Sequence, residues 1–175
     1  MDSIRTNLPA TLTTERLTLA TPARAHVKAM AELANNKRIF EVLARLPHPY
    51  AESDGEVFVD TIARSDTEHA WSILRDGSFI GVIGLHLLPG QVPELGYWLG
   101  EPFWGFGYAT EAAIAVVTAA KKAGYPGLRS RALLTNTGSR NVLRKLGFVE
   151  ISEEVDEKSA LAGRRLMKVL LEFTL

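Results

Sequence analysis

The sequence predicts an α/β fold of the mixed α+β kind, a single sheet carrying helices on both faces, and three features predict it. Segments with helical spacing of apolar residues come before, between and after segments with strand alternation. One helix-forming stretch, residues 108–123, is apolar nearly all round apart from a stripe at Glu111, Thr118 and Lys122, so it must lie buried against a sheet. The 175 residues contain no internal repeat, low-complexity tract or linker, which predicts one domain over residues 1–175 that buries roughly 70% of its unfolded surface.

The elements follow in order. Residues 16–20 (Arg-Leu-Thr-Leu-Ala) alternate polar and apolar and predict a first strand, ended at Pro22. Between 24 and 35, Val27, Met30, Ala31 and Ala34 recur at helical spacing. A short helix over 39–45 is stopped by Pro47-His48-Pro49, and a third runs over 52–62 with Ser53 or Asp54 near its N-cap. Strands at 70–74 and 79–88 flank Asp76-Gly77, a strong hairpin signal. A strand at 94–99 ends in Gly100-Glu101-Pro102, and the long helix at 108–123 is capped by Gly124. A strand at 128–134, a short helix at 139–146 and closing strands at 148–154 and 166–173 complete the chain.

Composition narrows the function. Lys plus Arg and Asp plus Glu number 20 each, so no global field recruits nucleic acid or an anionic membrane. The absence of cysteine excludes disulfides, a thiolate nucleophile and sulfur-ligated zinc, and it suits a reducing compartment. The start, residues 1–14, is polar and lacks the apolar block of a signal peptide, and the most apolar run, 112–120, is far short of the ~20 residues of a membrane span. A soluble cytoplasmic protein is expected. His26, His48, His69 and His86 show no metal-ligand spacing and are expected at surface or core positions, with no metal bound. Trp71, Tyr97 and Trp98 fall in strands and are expected mainly in the core.

The informative stretch is Glu94-Leu-Gly-Tyr-Trp-Leu-Gly-Glu-Pro-Phe-Trp-Gly-Phe-Gly-Tyr-Ala-Thr-Glu111, a strand, a glycine-bearing loop and a helix. That order aims free backbone N–H groups and a helix dipole at one point, which makes an anion site. Gly105 and Gly107 let a phosphate approach the backbone, although a tight turn alone would also account for them. A nucleoside-triphosphate loop needs a Gly-Lys-Ser/Thr ending that is missing here, and a dinucleotide fingerprint meets Thr110 in place of its third glycine, with no acid near residue 130.

Trp104-Gly105-Phe106-Gly107-Tyr108-Ala109 closely resembles the coenzyme A loop of the GNAT superfamily of N-acetyltransferases, Gln/Arg-x-x-Gly-x-Gly/Ala, with Trp104 in the Gln/Arg place. That tryptophan, followed by Gly-x-Gly-Tyr-Ala-Thr-Glu, resembles the RimJ/RimL-like branch. Asn136-Thr-Gly-Ser139, followed by Lys145-Leu-Gly147-Phe148, resembles the same branch's Asn-x-x-Ser...Lys-Leu-Gly-Phe, and Thr14-Glu-Arg-Leu-Thr-Leu19 and Leu46-Pro-His-Pro-Tyr50 echo it.

The resemblance implies a fold of about seven mostly antiparallel strands and direct attack of a primary amine, a protein N-terminal α-amine or a small molecule, on acetyl-CoA in a ternary complex. It implies pyrophosphate binding by the amides of Trp104, Gly105, Phe106, Gly107, Tyr108, Ala109 and Thr110, with the pantetheine along a splayed strand ending at Trp98 and Leu99. Leu143 stands where many members carry an acid tyrosine, so Ser139 inherits the role of protonating the thiolate, unless it only caps its helix. Asn136 is implied as a partner of the pantetheine amide, or as a loop turn. Glu94, at the mouth of the strand leading to the loop, is the candidate base, directly or through a water, or else a solvated strand-edge carboxylate. Glu157 is a weaker candidate. A different class, a non-catalytic acyl-CoA sensor on the same fold, would keep the loop without a working acid and base. Monomer and homodimer are not distinguished.

Overall fold

The computed structural model describes residues 4–157 and 159–174; the first residues of the polar N-terminal stretch lie outside them. In chain order the elements are β1 (Leu12–Thr13), β2 (Thr18–Ala20), α1 (Val27–Ala34), α2 (Lys37–Phe40), α3 (Glu52–Val57), β3 (Glu68–Arg75), β4 (Ser78–His86), β5 (Glu94–Leu99), α4 (Tyr108–Ala123), β6 (Gly127–Leu133), α5 (Thr137–Lys145), β7 (Val149–Val155) and β8 (Arg165–Glu172). A single π-helical turn, Phe58–Ile62, continues α3.

The strands form one sheet in the order β1-β2-β3-β4-β5-β6-β8-β7, antiparallel except where β5 meets β6. Eight strands stand where about seven were expected, because Leu12–Thr13 adds a two-residue edge against β2. The first expected strand begins at Thr18 rather than Arg16, since the Thr14 amide donates to the Leu17 carbonyl and the Thr14 hydroxyl oxygen accepts the Leu17 amide, which closes a turn. The short helix expected over 39–45 lies at Lys37–Phe40, where the Asn36 side chain caps it by accepting the Arg38 amide at 3.0 Å.

Strand alternation sends side chains to two separate cores. On one face Leu19, Trp71, Ile83, Leu85 and Leu95 pack against Ala112, Ala113, Val116 and Ala120 of α4 and Leu143 of α5. The run of alanines lets α4 approach the sheet closely. On the other face Met30 and Ala34 of α1 join Tyr50 and Phe79, with Phe58, Val82 and Trp98 beside them. Among the described residues, no helix is long and apolar enough to cross a membrane.

The junction of β5 and β6 positions the site. Their parallel pairing is confined to Glu94 opposite Arg129, where the Arg129 amide donates to the Pro93 carbonyl at 2.9 Å. Beyond that point the strands diverge into a wedge. The Gly100 amide donates to Ile80 of β4 at 2.8 Å, so by alternation the backbone groups of Leu95, Tyr97 and Leu99 point away from β4 and toward the wedge. Two of their carbonyls are taken: Ser130 Oγ donates to the Leu95 carbonyl at 2.7 Å, and the Trp104 indole N–H to the Leu99 carbonyl at 2.8 Å.

Candidate active site

The loop between β5 and α4 is held open toward solvent. Gly105 and Gly107 have φ of 82° and 80°, the left-handed region that penalises any side chain, and nothing lies within 4 Å of a Cβ built on Gly105. The first intrahelical bond of α4 runs from the Glu111 amide to the Gly107 carbonyl at 3.0 Å. Among the described residues no acceptor takes the amides from Gly105 to Thr110, so six donors and the positive end of a 16-residue helix converge. The Trp104 amide is the exception to the expected set, because it donates to the Glu101 carbonyl at 3.1 Å. Trp104 instead anchors the loop through its indole, which returns to the end of β5.

Two residues that sequence reasoning left without a role clamp this loop. Glu111 accepts the Thr14 hydroxyl at 2.6 Å, the Arg16 amide at 2.9 Å and the Arg16 Nε at 2.7 Å. Burial pushes its carboxyl upward, but these bonds outweigh that and hold it below the ordinary range. Arg16 also donates to the Phe106 carbonyl at 2.9 Å and lies 4.5 Å from the centre of the Tyr108 ring. Both residues fall within the recognised motifs, yet their mutual contact joins segments 95 positions apart.

On the α4/α5 side of the wedge, Asn136 caps α5 by accepting the Ser139 amide at 3.2 Å. The helix starts at Thr137, so Ser139 sits inside its first turn and is not the cap. Its hydroxyl is 3.0 Å from that of Tyr97. Tyr97, expected mainly in the core, thus has a polar tip against the site; burial raises its pKa, only partly offset by the Ser139 bond, and keeps the phenol protonated. Leu143 is buried one turn further along α5.

On the opposite face a cavity of about 530 Å³ opens where β5 and β6 part. Its floor is one small cross-strand row, Ala70, Gly84 and Gly96, and Tyr50, Phe58 and Trp98 stand at its apolar side. The Tyr50 hydroxyl is pushed up to about 12 by burial and by Asp54. Its polar end is the next row, Glu68, His86 and Glu94. Glu94 is neither at a sheet edge nor solvated: its side chain is 13% exposed, 2.8 Å from Arg131 Nε and 3.6 Å from Arg45 Nη2. His86, expected at a surface or core position, places Nδ1 2.9 Å from Glu68 Oε2. Burial raises the Glu68 pKa against the opposing pull of His86 and Arg45. Glu157 lies in a neighbouring open hollow beside Arg45, Arg131 and Glu154. Arg144 is spent on Glu150 at 3.0 Å. Among the described residues no cluster of three or more His, Asp or Glu side chains could hold a metal ion.

The sequence model described as acetyltransferase (GNAT) domain matches residues 16–149. Similar solved structures include Mycobacterium smegmatis RimJ in complex with CoA-disulfide, at 19% identity and a TM-score of 0.84 over 95% of this chain and 88% of that one. The microcin C7 self-immunity acetyltransferase MccE in complex with acetyl-CoA and AMP matches at 18% identity and a TM-score of 0.83, over 96% and 99% of the two chains. RimL, the ribosomal L7/L12 alpha-N-protein acetyltransferase, in complex with coenzyme A, matches at 18% identity and a TM-score of 0.80, over 95% and 97%. No curated protein matches.

Proposed function

The chain belongs to the GNAT acetyltransferase family, and from that premise we propose that it is a single-domain, acetyl-CoA-dependent N-acetyltransferase of the RimJ/RimL-like branch. The observation that carries the reading is the set of six amides from Gly105 to Thr110, at the head of α4, that find no acceptor among the described residues, which suits a diphosphate. The coenzymes bound by RimJ, MccE and RimL support the same cofactor here. A cytoplasmic setting, consistent with the absence of cysteine, belongs to the same proposal.

In this reading the coenzyme enters from the α4/α5 side and its pantetheine runs along the wedge beside β5, from Leu99 and Trp98 toward Glu94, with Asn136 alongside. A wedge-facing amide, of Tyr97 or Leu99, polarises the thioester carbonyl, an effect worth roughly 3 kcal/mol in other acyl-transfer sites. Ser139 returns a proton to the leaving thiolate, with Tyr97 behind it as a neutral donor. The acceptor comes from the other side, in the cavity between the sheet and the segment from α2 to α3, with its amine toward Glu94 and its apolar body toward Trp98 and Phe58. Glu94, tied to two guanidiniums, helps bind the ammonium form electrostatically and does not take its proton directly.

A cavity of this size suits a small amine or the first residue of a peptide. RimL acetylates a protein α-amine and MccE confers microcin immunity, so both acceptor classes belong in one panel. Thiol release from acetyl-CoA with N-terminal peptides, phenylalaninamide and phenethylamine tests the reading. Coenzyme binding without turnover across the panel would favour a non-catalytic acyl-CoA sensor. Gly96→Val fills the cavity floor at a point with no atom within 4 Å, in a strand that favours a β-branched residue. It is expected to raise the acceptor KM about tenfold or more while sparing coenzyme affinity; an unchanged acceptor KM would move the acceptor elsewhere.

A further inference from the structure

Glu94 is held by Arg131 and Arg45, and the acetyl-transfer reading still needs a group that takes the acceptor's proton. One residue in the cavity has the required arrangement. His86 lies directly across from Glu94 on β4, and Glu68 lies directly across from His86 on β3, so all three project from one face of the sheet in a single row. Glu68 Oε2 takes His86 Nδ1 at 2.9 Å. Bound to a carboxylate, Nδ1 carries the hydrogen, which leaves Nε2 as the lone-pair nitrogen. Among the described residues nothing else bonds to the imidazole. The row stands one step beyond the Ala70-Gly84-Gly96 floor, about 7 Å along the strands, at the closed end of the wedge toward which the pantetheine runs.

We propose that His86 is the base of the reaction, with Glu68 as its positioning residue, an inference that rests on the acetyltransferase reading above. The acceptor ammonium gives one proton to Nε2, and the imidazolium formed is held against the Glu68 carboxylate and the Glu94 carboxylate beside it. The neutral amine then forms the C–N bond at the thioester carbon. As the tetrahedral intermediate collapses the C–S bond breaks and the thiolate takes a proton from Ser139, whose oxygen recovers the nitrogen's second proton through water, while the first proton passes from His86 Nε2 to solvent. The transfer yields amide, free thiol and one net proton, which leaves through the cavity.

The groups facing His86 are Glu68 from β3, Glu94 from β5, Arg131 from β6 and Arg45 from the segment after α2, with Asp54 and Tyr50 of the helical layer at the cavity wall. Glu68→Gln removes the carboxylate against which the protonated ring is held, so it is expected to move the acid limb of kcat/KM to lower pH. A base matters in proportion to the acceptor's basicity. An alkylamine near pKa 10.4 depends on it strongly, and an α-amine near 7.7 far less.

The test compares wild type, His86→Gln and Glu68→Gln on phenethylamine and phenylalaninamide, two acceptors with the same apolar body, with coenzyme A affinity measured by calorimetry in each. The expected result for His86→Gln is a loss of about 100-fold in kcat/KM on phenethylamine, a much smaller loss on phenylalaninamide, and unchanged coenzyme affinity. An equal loss on both amines, or none, overturns the assignment. If His86→Gln does not fold, the Glu68→Gln profile decides alone, and an unmoved acid limb overturns it. Wild type that turns over neither acceptor nor any amine of the wider panel overturns the acetyltransferase reading itself, and this inference with it.

Discussion

Gly107→Glu is expected to abolish coenzyme A binding, with a loss on the order of 100-fold or more in affinity, since setting like charges side by side costs several kcal/mol. The substitution puts a carboxylate among the six amides offered to the diphosphate. A Cβ at Gly107 lies 3.5 Å from Arg16 Nη2, so the new carboxylate also competes with Glu111 for the guanidinium that holds the Phe106 carbonyl. The left-handed φ of 80° adds strain of about 1 to 2 kcal/mol for any side chain. Gly107→Ala shares that strain without the charge and is expected to retain most of the affinity. Calorimetry on both variants, with a thermal melt to establish folding, separates the two effects. A folded Gly107→Glu protein with wild-type affinity would remove the diphosphate from this loop.

Ser139→Ala is expected to lower kcat by about 100-fold and to leave coenzyme affinity close to wild type. Because Asn136 is the residue that caps α5, the loss cannot be assigned to unravelling of the helix start. The change strands the Tyr97 hydroxyl, at a stability cost of about 1 to 3 kcal/mol, which a melt detects separately from the rate. Steady-state kinetics with saturating acetyl-CoA give the answer, and wild-type turnover in the alanine variant would leave Ser139 with a structural contact only.

The bounds of β5 and α4 were legible because each ends on strong local chemistry: Gly100-Glu101-Pro102 for the strand, and Gly107 and Gly124 for the helix. The loop's capacity for an anion was equally local. What the sequence hid was register. Counting back from the Asp76-Gly77 turn pairs Arg75 with Ser78 and Leu74 with Phe79, and on that count His86 faces Thr67. A one-residue bulge at Ile73/Leu74 shifts the ladder, so that His86 faces Glu68. No residue in the hairpin announces it. Tyr97 was legible in part for a related reason: its aromatic body packs with the core as expected, but the Ser139 hydroxyl that meets its tip arrives from 42 positions away. The Arg16–Glu111 clamp is likewise a contact between two motifs, each legible alone.

The most direct measurement is a titration of isotopically labelled protein with coenzyme A, following backbone amide resonances. The account predicts that the amides from Gly105 to Thr110 shift together, at one affinity, and that pantetheine without the diphosphate leaves them in place. Coenzyme A that binds while those six amides stay unmoved would contradict it.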